Sequence, residues 1–515
     1  MTNSILSTLE TVWLIFLVVM FFNVMIFVHE LGHFLAGKWR GAYIDRFQIW
    51  FGKPIWQKKI NGVQWGIGWI PAGGFVSLPQ LADMQSIEGE ADIPKDLKPL
   101  KPLDKVIIAA AGPLASLLLA YFFAVIVWIV GKPVGELPTT TIGYIPADSP
   151  AAQAGLLPGD RIRAIDGQPV EKWMGNMEGV RELVAMSEHE KITFTIDRPM
   201  ADGSTQQLTI ESGYKLPETK WWQRTGMRQV GIMPAAPAVI GDIIPGSPAE
   251  QAGLIKGQRI VKLNGAPVFS PVPVLEAAEK GTLELTLQNA DGSEVTATIT
   301  PALPTNWQGL EGARPIMGFV WGGLDNELRT EHPGVQEQIN QSFRWMGETL
   351  AKVAAPGSSV GMEHLSGPVG IGNYLYQMLE SENGWKLILW FAVVLNVNLA
   401  VLNILPLPIV DGGHVVLGTL EIIFRRPVGG KLLEWIQSGF LFLLLFFFLF
   451  VTFKDVGDMV GGPEDVFEAP KELLGAMGSS VVRCGDIGAG NVTKLCNQTI
   501  VAVNIAVLAE ALQMG

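Results

Sequence analysis

The sequence predicts a polytopic α-helical membrane protein with four transmembrane helices, a membrane-associated β-hairpin and a duplicated extramembrane module. Three observations carry that expectation: an apolar composition, four long apolar runs, and an internal repeat. Hydrophobic residues make up 48% of the 515-residue chain and mean hydropathy is +0.30, above the range of ordinary soluble proteins.

A bilayer-spanning helix needs about 20 mostly apolar residues. Segments 12–35, 106–130, 385–405 and 435–453 meet that requirement. The first lacks a basic leader and a small-residue cleavage signature, so it reads as a retained span and not a cleaved signal peptide. Lys38, Arg40, Arg46, Lys53, Lys58 and Lys59 follow it, Lys98, Lys101 and Lys105 lead into the second span, and Arg425, Arg426 and Lys431 separate the third from the fourth. Positive loops stay on the cytoplasmic side. Both termini and the long stretch between the second and third spans are therefore expected on the opposite side. The expected divisions are 1–131, 132–225, 226–325, 326–384, 385–457 and 458–515.

The formal net charge of −12, with no Lys/Arg cluster beyond those flanking apolar runs, excludes a nucleic-acid partner, whose phosphates demand concentrated positive charge. The two cysteines, Cys484 and Cys496, lie near the C-terminus, so the body of the chain holds neither a disulfide framework nor a thiolate metal site. A metal here must be held by histidine and carboxylate.

The first span contains such donors in Val28-His29-Glu30-Leu31-Gly32-His33-Phe34. Residues four apart share a helix face, so His29 and His33 can grip one Zn²⁺ while Glu30 acts as general base toward a water. Two histidines and a glutamate on an ordinary helix surface are the bland alternative, but ionisable groups in an apolar span are costly unless buried in protein or bound to something.

Catalytic zinc takes three protein ligands and leaves one position open. His189, His332 and His364 fall in the extramembrane stretch, leaving His414 and Asp411 near a membrane segment. Asp411 is the better candidate, in Asn403-Ile-Leu-Pro-Leu-Pro-Ile-Val-Asp411-Gly-Gly-His414. Pro406 and Pro408 must break the helix, and unwound backbone at membrane depth requires protein or a water-filled cavity to satisfy it. The alternative is a span ending in a Pro/Gly turn with a solvated Asp. Asn403 could pack between helices or hydrogen-bond a substrate carbonyl.

Together these motifs resemble the site-2 protease family of intramembrane zinc metalloproteases, over roughly residues 1 to 455. The resemblance implies that His29, His33 and Asp411 bind Zn²⁺, that Glu30 is the catalytic base, and that Asn403, Pro406 and Pro408 handle substrate. It implies a bacterial inner-membrane location. It also implies single-pass transmembrane substrates of the anti-sigma-factor type, already clipped outside the membrane, and remnant signal peptides. One departure is Gly112-Pro113-Leu114-Ala115-Ser116, where the family commonly ends in Asn; Ser keeps a hydrogen-bonding group.

Residues 62–75, rich in glycine and aromatics with partial alternation, are too short to span and predict a bent hairpin. Its family counterpart is a membrane-associated β-loop beside the zinc. Gly68, Trp69 and Ile70 are candidate substrate-binding residues, because an exposed strand edge captures an unwound peptide by strand addition. An amphipathic cytoplasmic loop is the competing reading. In 333–356, Val335, Ile339, Phe343, Met346, Leu350 and Val353 follow helical spacing. That amphipathic helix either lies on the membrane surface and gates entry or caps the preceding module.

Positions 149–170 and 247–268 are 98 residues apart and match at 13 of 22 positions. Each unit has a Ser-Pro helix start, a glycine stop, and a strand ending in Asp166-Gly167 or Asn264-Gly265, a hairpin-turn signal. The pattern resembles bacterial PDZ domains, implying either substrate docking or a size filter; two rigid spacers are the alternative. The final segment, 459–515, resembles a fragment of a β-hydroxyacid dehydrogenase of the tartronate semialdehyde reductase type through Lys494 and Asn497. With no G-x-G-x-x-G after a strand, no NAD binding is expected. Two other functions stay open: a membrane-anchored PDZ scaffold with a non-catalytic metal site, and a tethered zinc protease acting on soluble proteins.

Overall fold

The structure is a computed structural model. It describes residues 2–81, 97–134, 138–174, 178–200, 202–219, 224–303, 315–322, 329–355, 357–381, 383–426 and 430–459. The dehydrogenase-like tail, with Cys484 and Cys496, lies outside the described residues. Four described helices are long and apolar enough to cross a membrane: Val12–Arg40, Pro102–Val130, Gly384–Ile404 and Trp435–Asp455. They agree with the four runs read from the sequence, and the chain is a multi-pass membrane protein.

The chain divides into two compact units. The first comprises Met1–Pro133, Thr330–Ala351 and Ser366–Asp455. It opens with α1 (Thr2–Arg40), followed by a hairpin of β1 (Arg46–Ile60) and β2 (Val63–Val76). Asn61 and Gly62 have φ of 50° and 86°, and this consecutive left-handed pair closes the two-residue turn. Repeated register shifts bend the ladder, and the glycine-rich segment read as a whole hairpin over 62–75 supplies one strand of it, its partner being the preceding 46–60. The base of the hairpin is anchored in apolar packing: Phe47, Val76 and Leu78 join Phe34, Ala36 and Ile44 in one buried cluster with Ile108. Trp50 Nε1 donates to Asn23 Oδ1, which pairs a polar side chain of the first span with the hairpin. The second span is α2 (Pro102–Val130), with proline in its first turn and Asp104 near its positive N-terminal end.

The second unit comprises Val134–Arg329, Lys352–Leu365 and Val456–Gly515, and its described part is two β-rich modules with PDZ-like character. In the first, α3 (Pro150–Ala154) is N-capped by Ser149, whose Oγ accepts from Ala152 N at 3.1 Å. Strands β3 (Arg161–Ile165), β4 (Gln168–Pro169), β5 (Ile192–Pro199) and β6 (Thr205–Ser212) form an antiparallel sheet in the order β4-β3-β5-β6. Ile162, Ile165, Ile192, Phe194 and Ile196 fill its core. The second module repeats the device. Ser247 caps its short helix, accepting from Glu250 N at 3.4 Å, and Asn264-Gly265 repeats the left-handed pair of Asp166-Gly167. Its core is built by Ile240, Ile260, Leu283, Leu285 and Leu287.

Back in the first unit, the amphipathic segment is α4 (Val335–Ala354). Ile339 packs into a cluster with Ala120, Ala124 and Val127 of the second span and Val393 and Val397 of the third, and Gln338 Nε2 donates to Ala124 O at 3.0 Å. Phe343 and Leu350 remain exposed, so the stripe is only partly buried by protein. Next come α5 (Pro368–Glu380), α6 (Gly384–Ile404), α7 (Asp411–Phe424) and α8 (Gly430–Met459). Of these, α7 is too short to span and was not separately expected.

Candidate metal centre

The first span delivers His29 and His33 from adjacent turns of one face, and both rings are buried. Asp411 arrives from the other half of the chain. The third span ends at Ile404, and Pro406 and Pro408 prevent its continuation, as expected. The chain then restarts as a helix at Asp411, so this carboxylate sits on the first residue of α7 and not on unwound chain. Gly412 and Gly413 make the tight reversal feasible, since a Cβ on either would collide with the carbonyl oxygens of Ile404, Leu405 or Leu407.

Three side chains converge. His29 Nε2 lies 3.1 Å from Asp411 Oδ2, His33 Nε2 lies 3.2 Å from Asp411 Oδ1, and the two Nε2 atoms are 3.3 Å apart. Donors of a tetrahedral site with bonds of about 2.0–2.1 Å sit about 3.3 Å from each other. Each of these three separations matches the spacing of neighbouring zinc donors, and one donor atom from each of His29, His33 and Asp411 lies within 4.8 Å of the others. Proton placement agrees. His33 Nδ1 contacts Ile108 O at 2.8 Å, and because a carbonyl only accepts, Nδ1 carries the hydrogen. A neutral ring then presents a bare lone pair at Nε2 toward a carboxylate oxygen. Two acceptors face each other stably only with a second proton on the ring or a cation between them, and three such donors favour the cation. His29 Nδ1 is held at 2.9 Å by Ser116 Oγ. Two nitrogens and one carboxylate, with oriented rings, suit Zn²⁺.

Glu30 lies beside the cluster, within electrostatic range of His29, His33 and Asp411, and near the backbone of Val76 at the end of β2. Trp69 and Ile70 are exposed, and Gly68 leaves no room for a Cβ against Phe51 O and Trp50 O. The Asn403 amide donates to Leu399 O at 3.1 Å, one turn back on its own helix. Pro406 is exposed, Pro408 is half-buried, and Pro408 O accepts from Gln437 Nε2 at 3.2 Å.

Sequence reasoning missed two contributors. Ser116 was noticed only as a variant of a family motif, whereas it orients a metal-donating ring. Gly112 gives α2 its close approach, since a Cβ there would collide with His33 Nε2 and come 2.8 Å from His29 Nε2. The signal for both was their placement in Gly-Pro-x-x-Ser within a long apolar run.

A polytopic membrane metallopeptidase is the class that four spans and this His-His-carboxylate cluster define. Residues 16–447 match the model of peptidase family M50, and the chain belongs to that family. It is 30% identical over 458 residues to the regulator of sigma-E protease RseP of Escherichia coli, covering 84% of this chain and 96% of that one. The corresponding figures are 28% over 449 residues (84% and 96%) for the regulator of sigma E protease of Haemophilus influenzae. For the RseP protein of Salmonella typhimurium they are 28% over 466 residues (87% and 99%). The dehydrogenase reading of the tail receives no support from these matches.

Proposed function

We propose that the chain is a zinc-dependent intramembrane endopeptidase that carries out regulated intramembrane proteolysis. Its substrates in this reading are single-pass membrane proteins of the anti-sigma-factor type, and remnant signal peptides. The observation that carries it is that the metal-donating atoms come from the first span and from the helix that restarts after the third, so hydrolysis is assembled within the membrane portion of the chain. The names of the relatives tie them to the regulation of sigma E, and the substrate class itself rests on the family resemblance.

His29, His33 and Asp411 hold the zinc. Zinc bound there supplies Lewis acidity toward a water and toward the scissile carbonyl. Glu30 takes a proton from the attacking water and passes it to the amide nitrogen as the C–N bond breaks. The Val76 backbone at the end of β2 lies near the Glu30 carboxylate. A peptide bond inside a helix is shielded, so substrate must be held extended, and the hairpin edge at Gly68, Trp69 and Ile70 offers a strand to pair with. Asn403, Pro406 and Pro408 line the broken helix end where the extended chain passes. The basic loops face the cytoplasm, and the PDZ-like modules and both termini are periplasmic, in a bacterial inner membrane.

The test is metal analysis of purified wild type, Asp411→Ala and Glu30→Gln, with cleavage of a model single-span substrate. Stoichiometric zinc is expected in wild type and Glu30→Gln, cleavage only in wild type, and neither in Asp411→Ala. Cleavage that persists without Glu30, or zinc that persists without Asp411, would falsify these assignments. A scaffold with a non-catalytic metal would bind zinc and cut nothing.

A further inference from the structure

We propose that the Lys105–Glu421 ion pair is a positioning device that sets Asp411 against the two imidazoles. This deepens the zinc-site reading above and rests on it.

The second span is the element against which both donor helices are registered. Asp104, Ile108, Gly112 and Ser116 follow one another at intervals of four and therefore form one stripe of α2. All four serve the first span. Asp104 Oδ1 accepts from Arg40 Nε at 2.8 Å, Ile108 O holds His33, Gly112 makes room for both rings, and Ser116 holds His29. The imidazoles are thus located by contacts spread over three turns.

Among the described residues, the contacts of the Asp411 carboxylate are those with the two imidazoles. Its helix, α7, packs along α2, and one point of close approach is the turn where Gly418 lies against Pro102 O and Val106; a Cβ at Gly418 would come 2.8 Å from Val106 Cγ2 and 3.2 Å from Pro102 O. One turn on, Lys105 Nζ donates to both carboxylate oxygens of Glu421, at 2.9 and 3.1 Å. These side chains are 22% and 14% exposed, so the pair is largely sheltered from water. Lys105 is the neighbour of Asp104: two consecutive residues of α2 tie down α1 through Arg40 and α7 through Glu421. A helix rises about 1.5 Å per residue, so Glu421 lies about 15 Å from Asp411 along one stiff rod. Sliding or tilting of α7 at Glu421 moves the carboxylate at the other end.

Full-length protein in lipid nanodiscs is titrated with Zn²⁺ against a competing chelator, for wild type, Lys105→Gln, Glu421→Gln, the exchanged pair Lys105→Glu with Glu421→Lys, and the apolar pair Lys105→Met with Glu421→Met. The apolar pair guards against misfolding, because replacing both partners of a sheltered ion pair by packed apolar groups preserves folding. The single variants and the apolar pair should bind zinc more weakly, by up to about tenfold, the lower end of the loss when a direct orienting partner of a metal ligand is removed. The exchanged pair should recover most of the lost affinity. The visible bands of Co²⁺-loaded protein should change with the single variants and return in the exchanged pair. Wild-type zinc affinity in the folded apolar pair overturns the positioning role while leaving the zinc site intact. A folded exchanged pair that stays weak overturns it too. Wild type that binds no zinc overturns this inference together with the reading beneath it.

Discussion

Ser116 Oγ lies 2.9 Å from Nδ1 of His29, although the two residues are 87 positions apart. The contact joins the second span to the first and decides which nitrogen of His29 is left for a metal. Replacing Ser116 by Ala should weaken zinc binding on the order of tenfold, whereas Ser116→Asn should retain most of it. Chelator competition measures both, and equal affinity for Ser116→Ala and wild type would remove Ser116 from the site.

Gly112→Ala tests the space around the rings. The new methyl meets His33 Nε2, so either ring or helix must shift, at a cost of about 1–3 kcal/mol for overpacking. Zinc content should fall while the protein still purifies as a folded membrane protein. Full zinc occupancy in this variant would mean that the approach of α2 is looser than described.

Asp455, buried at the end of the fourth span, accepts from the backbone N–H groups of Gly367 and Gly370 at 3.0 and 2.9 Å. These N–H groups open α5 and have no partner within their own helix, and a carboxylate is favoured at that positive end. Asp455→Ala should cost about 1–2 kcal/mol, and Asp455→Asn less. Thermal unfolding in detergent and hydrogen exchange at 367–370 report the change; unaltered exchange would show that the cap is dispensable.

Tyr144 gives a spectroscopic prediction. Its hydroxyl donates to Glu276, and that hydrogen bond to a carboxylate pushes the phenol from 10.0 up to about 12. A raised pKa favours the protonated folded form, so the contribution is complete below pH 10 and is lost as pH rises toward about 12. The difference titration of wild type against Tyr144→Phe should show late ionisation, and in Glu276→Gln the transition should move back toward pH 10.

Much of this architecture was legible because it is local. Two histidines four apart on an apolar run announce a shared helical face, two prolines before Asp411 announce a broken helix, and Ser149 and Ser247 announce equivalent caps in a duplicated module. The unread part depends on contacts between distant segments. Lys105 and Glu421 are 316 positions apart, and in the sequence Lys105 reads only as one of several flanking cations. The helix α7 escaped notice because the prolines before it and the two glycines in its first turn suggest irregular chain, and its 14 residues fall short of a span. Likewise, the regular spacing of Phe343 and Leu350 signals a helix face without saying what covers it; both stay exposed.

The stripe formed by Asp104, Ile108, Gly112 and Ser116 has a mechanical consequence. Successive helical residues are separated by about 100° around the axis. Rolling the second span by even one residue would swing the serine hydroxyl and the Ile108 carbonyl off both rings and bring a side chain in where only a hydrogen fits. The membrane half therefore has a keyed shaft at its centre, and any opening that admits a substrate must be made by the helices around it.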